Sequence, residues 1–266
     1  MSTFAWLTDP HLNFLNRDQY QRFLECLAQE SVDGLFITGD IAESDSLVPL
    51  LDQLVDAVSY PVYVVLGNHD YYRGSIAGTR ALARTWSRAG SDRHWLPDSP
   101  VLALSPQTAL IGHGGWGDGQ IGDFMGSGIW LNDYVHISDL TGCTKGVLLE
   151  RLKRLGLEAA DFLESQLRAA LQQAEQVILL THVPPYLEAC WHEGRIECNE
   201  WTPHFTCEAV GERLRTVMNA HPDQSLHVLC GHTHSGGVVD ILPNLRVTTG
   251  GAVYRAPALQ EPIYCV

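Results

Sequence analysis

The sequence predicts an α/β fold, and three observations support this prediction. Short apolar runs that end in Gly or Asp alternate with stretches of helical periodicity over most of the chain. Toward the C-terminus, strand-like runs follow one another without a helix between them. The length of 266 residues, 45% of them apolar, is ample for a buried core. No linker divides the sequence, so we expect a single domain over residues 1–266, in which residues 112–174 could form a loop and a helical cap.

The individual elements follow from periodicity and from capping residues. A first helix is predicted after Asn16, a good N-cap residue, because Tyr20, Leu24 and Leu27 follow it at helical spacing. Further helices are predicted at 46–58, 76–89, 147–174 and 207–220, the third of these broken near Gly156. Strands are predicted at 4–7, 34–38, 62–66, 109–111, 177–181, 227–230, 237–242, 246–249 and 263–266.

Composition and charge exclude several classes of protein. The formal net charge is −14, from 31 acidic and 17 basic residues, which is unfavourable for coating duplex nucleic acid or anionic lipid. No apolar run approaches the roughly 18 residues of a membrane helix, and the N-terminus lacks the features of a secretory signal. The seven cysteines are an odd number without a C-x-x-C pair. We therefore expect reduced thiols and a cytoplasmic protein that does not bind membranes.

One segment departs from the alternation of strands and helices. Residues 112–128 contain eight glycines but lack the G-K-[ST] ending of a P-loop and the acidic spacing of an EF-hand. We expect a loop that lies over a site, and a glycine-rich surface loop without a function is the alternative.

Polar residues that a core does not need follow five of the predicted strands. Ligands collect at the carboxyl ends of strands in an α/β sheet, so these five ends can converge on one place. A glycine before Asp40, Asn68 and His232 lets the chain turn sharply there. The polar residues are Asp9, His11, Asp40, Asn68, His69, Asp70, His182, His232 and His234.

Most of these residues are suitable ligands for a transition metal. They offer imidazole nitrogen and hard oxygen but no thiolate, which suits Mn, Fe, Zn, Ni or Co better than Ca. Seven candidate ligands exceed what one ion with an open position needs, whereas two ions that share Asp40 use them all. Two ions about 3.5–4 Å apart generate a bound hydroxide and hold both oxygens of an in-line phosphoryl displacement. Any one of these residues alone could equally be a cap or a turn residue, so only the set points to a metal site.

The order of the motifs, D-x-H, G-D, G-N-H-D, H and G-H-x-H, resembles that of the calcineurin-like metallophosphoesterases from Asp9 to His234. The resemblance implies a four-layer α/β/β/α sandwich with a dinuclear metal site at the edge where the strands end. It also implies hydrolysis of a phosphoester by a metal-bridging hydroxide, with His69 as the general acid or as a donor to the transition state. By the same resemblance, one ion would take Asp9, His11, Asp40 and His234, and the other would take Asp40, Asn68, His182 and His232.

Differences from three known subfamilies limit which members of this family the sequence resembles. The arginine that the protein serine/threonine phosphatases have after the second motif is absent here. Glu43 occupies the position of the metal-binding tyrosine of purple acid phosphatases, and His69 stands where the lipid A pathway pyrophosphohydrolases have an arginine. The remaining group is the bacterial-type phosphodiesterases and phosphatases, for which we expect two divalent or trivalent ions of Mn, Fe or Zn.

Clues to the substrate are few. Arg73 could pair with a phosphate oxygen, and Asp70 is expected to orient its loop or to accept a hydrogen bond from a ligand histidine. Trp116, His192 and Trp201 lie in loops that could cover the site. We expect a small phosphorylated substrate, and the sequence does not predict an oligomeric state.

Two other functions remain open at this point. The retromer subunit that resembles this fold is a non-catalytic scaffold for protein partners, and this chain could be one too. A metal-dependent hydrolase of a non-phosphate ester is the second alternative. The intact set of ligands together with His69 weighs against the scaffold.

Overall fold

The structure is a computed structural model that describes residues 2–196 and 200–265. Cys198 and Val266, the last residue of a predicted strand, lie outside these residues. In the described part the strands are β1 (Ser2–Leu7), β2 (Gly34–Thr38), β3 (Val62–Val65), β4 (Arg93–Trp95), β5 (Leu102–Ala103), β6 (Thr108–Gly112), β7 (Gln176–Leu180), β8 (Trp191–His192), β9 (Arg195–Ile196), β10 (Ser225–Cys230), β11 (Gly237–Leu242), β12 (Leu245–Thr249) and β13 (Ile263–Cys265). The α-helices of the same part are α1 (Arg17–Leu27), α2 (Leu47–Ala57), α3 (Ile76–Ser87), α4 (Asp133–His136), α5 (Lys145–Ala170), α6 (Thr202–Phe205) and α7 (Glu208–Asn219). Short 3-10 helices lie at Leu12–Phe14, His69–Tyr71, Leu96–Asp98 and Leu187–Ala189.

The strands form two main sheets. The first has the order β13-β1-β2-β3-β4, in which β1 to β4 are parallel and β13 is antiparallel to β1. The second has the order β11-β12-β10-β7-β6-β5, with parallel pairs in the centre and an antiparallel strand at each edge. Nδ1 of His182, after β7, lies 2.9 Å from the carbonyl oxygen of Thr38, the last residue of β2. The carboxyl ends of the two sets of parallel strands therefore meet.

Three apolar clusters show that the molecule has four layers. In the first sheet, alternate residues such as Leu35 and Ile37 pack with α1, α2 and α3, whereas Phe36 faces the other way. Phe36 belongs to a cluster between the sheets together with Leu180 and Leu229 of the second sheet. The opposite face of the second sheet packs against α5 and α7. This order of helices, sheet, sheet and helices confirms the α/β/β/α sandwich.

Most of the predicted elements are confirmed to within two residues, because their signals are local in the sequence. Asn16 caps α1 by accepting a hydrogen bond from the backbone N–H of Gln19, whose side chain in turn accepts one from the backbone N–H of Asn16. The strands β11, β12 and β13 follow one another without an α-helix between them in the described residues, as the β-rich end of the sequence predicts.

The predicted break in the helix near Gly156 is wrong, since α5 runs without interruption from Lys145 to Ala170. A Cβ atom at Gly156 would lie 2.6 Å from Cβ of Asp118, so the glycine allows residues 112–128 to approach the helix closely. Asp118 also accepts a hydrogen bond from the backbone N–H of Ala209 in the first turn of α7 (2.9 Å). Because α5 packs against α7 and the second sheet, it forms part of an outer layer of the sandwich.

The strands β4 and β5 were not predicted. β4 is only three residues long, reads Arg-His-Trp and shows no apolar alternation. It is extended because it pairs with β3, which is a tertiary effect. None of the helices within residues 2–196 and 200–265 combines the length and the apolar character needed to cross a bilayer.

Candidate metal centre

The candidate ligands come from both sheets and meet where the strands end. In the described part of the chain, two groups have ligand atoms that all lie within 4.8 Å of one another. Asp40 belongs to both groups. The first group is Asp9, His11, Asp40 and His234, and the second is Asp40, His182 and His232.

The first group places two imidazole rings between two carboxylates. His11 Nε2 lies 3.2 Å from His234 Nε2 and 3.8 Å from Asp40 Oδ2. His234 Nε2 in turn lies 3.4 Å from Asp9 Oδ1. Asp9, His11 and Asp40 are almost completely buried. A buried set of nitrogen and oxygen atoms this close together is suited to a cation.

The second group has a proton arrangement that follows from its hydrogen bonds. His182 Nδ1 must donate to the carbonyl oxygen of Thr38 (2.9 Å), because a carbonyl can only accept, so Nε2 carries a lone pair. His232 Nε2 lies 3.4 Å from the carbonyl oxygen of His204, which leaves the lone pair on Nδ1. The two lone-pair nitrogens, His182 Nε2 and His232 Nδ1, are 3.1 Å apart.

Asn68 adds a third acceptor to this group. Its Nδ2 donates to Asp133 Oδ1 (2.8 Å), and this orients Oδ1 toward His182 Nε2, 3.0 Å away. Asn68 Oδ1, His182 Nε2 and His232 Nδ1 are then three electron-pair donors that face one another without a proton between them. Such an arrangement is repulsive by itself and is stabilised by a cation. The described residues therefore fit a transition metal at this position.

The backbone at the ligands is unusual. Eight non-glycine residues of the described part have a positive φ, and five of them are candidate ligands. This left-handed conformation costs non-glycine residues about 1 kcal/mol or more each, and it persists only where the surroundings impose it. The five ligands are Asp9 (46°), His11 (42°), Asp40 (51°), His232 (71°) and His234 (58°).

Three glycines leave space that the ligands occupy. A Cβ atom at Gly67 would lie 2.2 Å from Asp40 Oδ1, and one at Gly231 would lie 2.1 Å from Asp9 Oδ2. Gly39, with a φ of 91°, would place a Cβ atom 2.7 Å from the ring of His182. The glycines of the strand-end motifs are thus required by close packing around the ligands.

Burial and mutual charge shift the pKa values of the ligands. Burial, together with the neighbouring His69, lowers the pKa of His11 to about 3, and burial holds the pKa of His232 well below its usual value. Burial and the nearby Asp9 raise the pKa of Asp40 well above its usual value. Burial also raises the pKa of Asp9, but interactions that include hydrogen bonds from His234 and Thr8 outweigh it and lower the pKa overall. The imidazoles of His11 and His232 are therefore held neutral, as metal binding requires, and a cation would relieve the crowded carboxylates.

Two buried carboxylates, Asp70 and Asp133, hold the ligands and their loops in place by hydrogen bonds. Asp70 is fully buried and accepts hydrogen bonds from the backbone N–H groups of Ile41, Ala42 and Gly67 (2.8–2.9 Å). It thereby ties the loop after β2 to the loop after β3, and it bonds to backbone rather than to a ligand histidine. Asp133, in α4, accepts from both Asn68 and Tyr72 OH (2.6 Å).

His69 lies beside the ligands and belongs to neither group. Its Nε2 is 3.9 Å from Asp40 Oδ2, and its ring stacks on Tyr72 at a centroid distance of 4.3 Å. Its side chain is 18% exposed and lines the cavity above the ligands. Burial lowers its pKa to about 4.

A cavity of about 390 Å³ opens directly above the ligands. Among the residues singled out from the sequence, His192 and Trp201 line it, whereas Trp116 is buried and packs against Tyr71. The lining residues are Asp40, Asn68, His69, Tyr72, Leu131, Asn132, Asp133, His192, Trp201, Phe205, His232, Thr233, His234 and Tyr254.

Arg73 is not among the residues that line this cavity. Its guanidinium pairs with Glu43 (2.8 Å) and lies 4.0 Å from Asp45, and its side chain is 67% exposed. The structure therefore places Arg73 on the outer side of its loop.

The glycine-rich residues 112–128 begin behind the ligands. The carbonyl oxygen of Gly114 accepts from the backbone N–H of His182 (2.9 Å), and a Cβ atom at Gly117 would meet the carbonyl oxygen of His204 at 2.1 Å. This part of the loop supports His182 and His204 from below the cavity.

Sequence reasoning missed Asp133, His204 and Tyr254. The carbonyl oxygen of His204 sets the proton of His232, and the ring of Tyr254 lies 4.5 Å from that of His11. None of the three comes directly after a strand of the parallel sets, since even Tyr254 lies five residues beyond the end of β12 at Thr249, so the strand-end signal could not have found them.

Comparison with known proteins is consistent with this site. Residues 2–236 match the sequence model of the calcineurin-like phosphoesterases. No curated protein is significantly similar in sequence. The fold resembles that of phosphopantetheinyl hydrolase (PptH) from Mycobacterium tuberculosis, with a TM-score of 0.65 and 15% identity over 94% of this chain and 89% of that one. It also resembles a dimetal phosphatase from Danio rerio (TM-score 0.57, 15% identity, 94% and 87% covered) and TT1561 of Thermus thermophilus (0.56, 14%, 97% and 98%).

Proposed function

Because the chain belongs to the calcineurin-like phosphoesterase family, we propose that it hydrolyses phosphoesters with two transition-metal ions held by the ligand groups that share Asp40. The observation that carries this proposal is the convergence of Asn68 Oδ1, His182 Nε2 and His232 Nδ1 as acceptors without a proton between them. When bound, two such ions, Mn, Fe or Zn, would activate water as the nucleophile at neutral pH and would neutralise the charge of the phosphate.

His69 assists the departure of the leaving oxygen by donating a hydrogen bond from its imidazole, which a pKa of about 4 keeps neutral at pH 7. Its imidazole faces the cavity beside Asp40 and is free of the ligand groups, so it can approach a bound phosphate. Stacking on Tyr72, whose hydroxyl is anchored on Asp133, fixes the plane of the ring. A donor held in place in this way stabilises the transition state without a cost of reorganisation.

The test combines metal analysis with a comparison of ester types. The purified protein is loaded with Mn, Fe or Zn, its bound metal is counted, and p-nitrophenyl phosphate and bis(p-nitrophenyl) phosphate are assayed in parallel. We expect close to two equivalents of metal and metal-dependent hydrolysis. The His69→Ala variant should keep both equivalents and lose turnover by about 100-fold or more.

A matched control is His221→Gln, because His221 lies before β10, at the opposite end of that strand from the ligands, and bonds to Gln224. Its activity should equal that of the unmodified protein. Unchanged activity in His69→Ala would remove the proposed role of His69, and a metal-loaded protein without any phosphoester hydrolysis would refute the function itself.

The same assay decides between this proposal and its alternatives. A scaffold for protein partners would bind metal without hydrolysing either phosphate ester. A hydrolase of carboxylic esters would prefer p-nitrophenyl acetate, which is assayed under the same conditions.

We also propose a small phosphorylated substrate and a cytoplasmic location. The cavity of about 390 Å³ is the size of a small-molecule site. Among the described cysteines, Cys26, Cys143, Cys207, Cys230 and Cys265 are free thiols, which suits a reducing compartment. Localisation of a tagged chain by cell fractionation tests the second point.

A further inference from the structure

Aromatic side chains line the way from the ligands to the mouth of the cavity. On one side, the ring of Phe205 lies 4.4 Å from that of His232, and Trp201 follows at 5.8 Å from Phe205. On the other side, Tyr254 lies 4.5 Å from His11 and 4.8 Å from His234. Each aromatic surface therefore starts at a candidate ligand and continues outward.

Two of these aromatic side chains, and a third that packs on one of them, are exposed to solvent. Trp201 is 39% and Tyr254 is 49% exposed, and Phe14, which packs on Tyr254 at 5.6 Å, is 38% exposed. Large aromatic side chains grouped at the mouth of a cavity are typical of a binding surface. Their flat faces suit a flat, apolar partner.

The charge of the cavity sets a second condition on the substrate. No Lys or Arg is among the described residues that line it, whereas Asp40 and Asp133 are. If two divalent ions bring four positive charges, the ligand carboxylates of Asp9 and Asp40 offset two, and an anionic nucleophile offsets a third. Asp133, which also lines the cavity, would offset the fourth charge when ionised, so at most one positive charge remains for the substrate. A polyphosphate or a substrate with several phosphates is therefore disfavoured.

We propose that the substrate is a singly charged phosphodiester with one flat, apolar ester arm, which stacks between Trp201 with Phe205 on one side and Tyr254 on the other. The inference rests on the proposed phosphoesterase function and specifies its substrate class. Trp201 is the best residue for a test, because it touches the arm at the mouth of the cavity and is absent from the ligand groups.

The kinetic test uses three substrates with the same p-nitrophenolate leaving group. These are p-nitrophenyl phosphate, methyl p-nitrophenyl phosphate and phenyl p-nitrophenyl phosphate. The first is a monoester and can carry one more negative charge than the two diesters, which differ from each other only in the second ester group. We expect kcat/KM to be about tenfold higher for the phenyl diester than for the methyl diester, and lowest for the monoester. Trp201→Ala should remove the tenfold preference, mainly through a higher KM for the phenyl diester.

Binding is measured separately from turnover with phosphinates, which contain no ester bond. Isothermal titration of the metal-loaded protein with diphenylphosphinate and with dimethylphosphinate should give about a tenfold lower Kd for the diphenyl compound. Trp201→Ala should remove this difference. Trp130→Ala should keep it, because Trp130 is 49% exposed in the same way but does not line the cavity.

The outcomes distinguish the two proposals. If the esters are hydrolysed but the monoester is preferred, or if the two diesters and the two phosphinates are equivalent, the inferred substrate class is wrong while the phosphoesterase function stands. If no ester is hydrolysed but diphenylphosphinate binds more tightly in a Trp201-dependent way, the aromatic site stands and the proposed function fails.

Discussion

Replacing Gly231 with alanine tests whether the glycine after β10 is needed to hold a ligand in place. The added Cβ atom would lie 2.0 Å from Thr8 Oγ1 and 2.1 Å from Asp9 Oδ2, whereas real Cβ atoms essentially never approach closer than 3.0 Å. Either the loop before His232 or the carboxylate of Asp9 must therefore move by about 1 Å. Asp9 belongs to the first ligand group and His232 to the second.

The expected effect is large on the site and moderate on the fold. A displacement of about 1 Å in catalytic geometry costs on the order of 100-fold in rate, and a disturbed ligand environment costs roughly 10- to 100-fold in metal affinity. Overpacking of this kind destabilises by about 1–3 kcal/mol. We therefore expect Gly231→Ala to fold, to lose metal during dialysis, and to lose at least about 100-fold in kcat/KM.

The assay is metal analysis by mass spectrometry after dialysis, with kcat/KM and urea unfolding measured on the same preparations. Gly128→Ala is the matched control, because a Cβ atom there would meet nothing within 4 Å. It should retain full metal content and activity. If Gly231→Ala keeps two equivalents of metal and a kcat/KM within about threefold of the unmodified protein, the close packing is not functionally required and the reasoning is refuted.

Three further predictions concern stability. Gly156→Ala should lower the free energy of unfolding by about 1–3 kcal/mol, because the added Cβ atom would contact Asp118. In the same helix, an added Cβ atom at Gly146 would meet nothing within 4 Å, so Gly146→Ala should raise the free energy of unfolding by up to about 1 kcal/mol. Equal effects of the two substitutions in urea unfolding would contradict the packing argument. Burial lowers the pKa of His227 to about 4, so the unfolded chain binds a proton at this residue before the folded protein does, and the free energy of unfolding falls as the pH drops from about 6.5 to 4. His227→Gln should reduce this pH dependence in the metal-free protein by up to about 1.4 kcal/mol per pH unit. An unchanged pH dependence would show that His227 is not its source. Asp70→Asn should destabilise the metal-free protein by about 1–3 kcal/mol in urea unfolding. The reason is that one amide oxygen cannot accept hydrogen bonds from all three backbone N–H groups that Asp70 binds. A change below about 0.5 kcal/mol would argue against a stabilising role of these hydrogen bonds.

The fold and the strand ends were accessible from the sequence because their signals are local. Strands such as β2 and β11 match their predicted ranges, since an apolar run and the turn residues that follow it, Gly39 after β2 and Pro243 after β11, are neighbours in the chain. The rule for parallel strands assigns the residues after β1, β2 and β3 to one edge of the first sheet and those after β7 and β10 to one edge of the second. That these two edges meet depends on how the sheets pack.

The remaining features depend on partners that are distant in the sequence. Gly156 looks like a helix breaker until Asp118 is seen against it. Asp133 and His204 act through Asn68 and His232, and nothing in their own neighbourhoods indicates these contacts. Trp201 was a candidate only as a loop residue, because its place at the cavity is set by tertiary packing.

The division of the ligands between two sheets has a consequence for the order of folding. His11 and His234 are 223 residues apart in the chain, and they meet only after both sheets have formed and packed face to face. Contacts of such long range form late, so a transition state for folding would contain the sheets without a completed binding site. Ions bound there would then slow unfolding strongly and leave the refolding rate nearly unchanged, as an interaction absent from the transition state does. The metal centre would therefore stabilise the folded protein kinetically, because it is completed only after the two sheets have packed together.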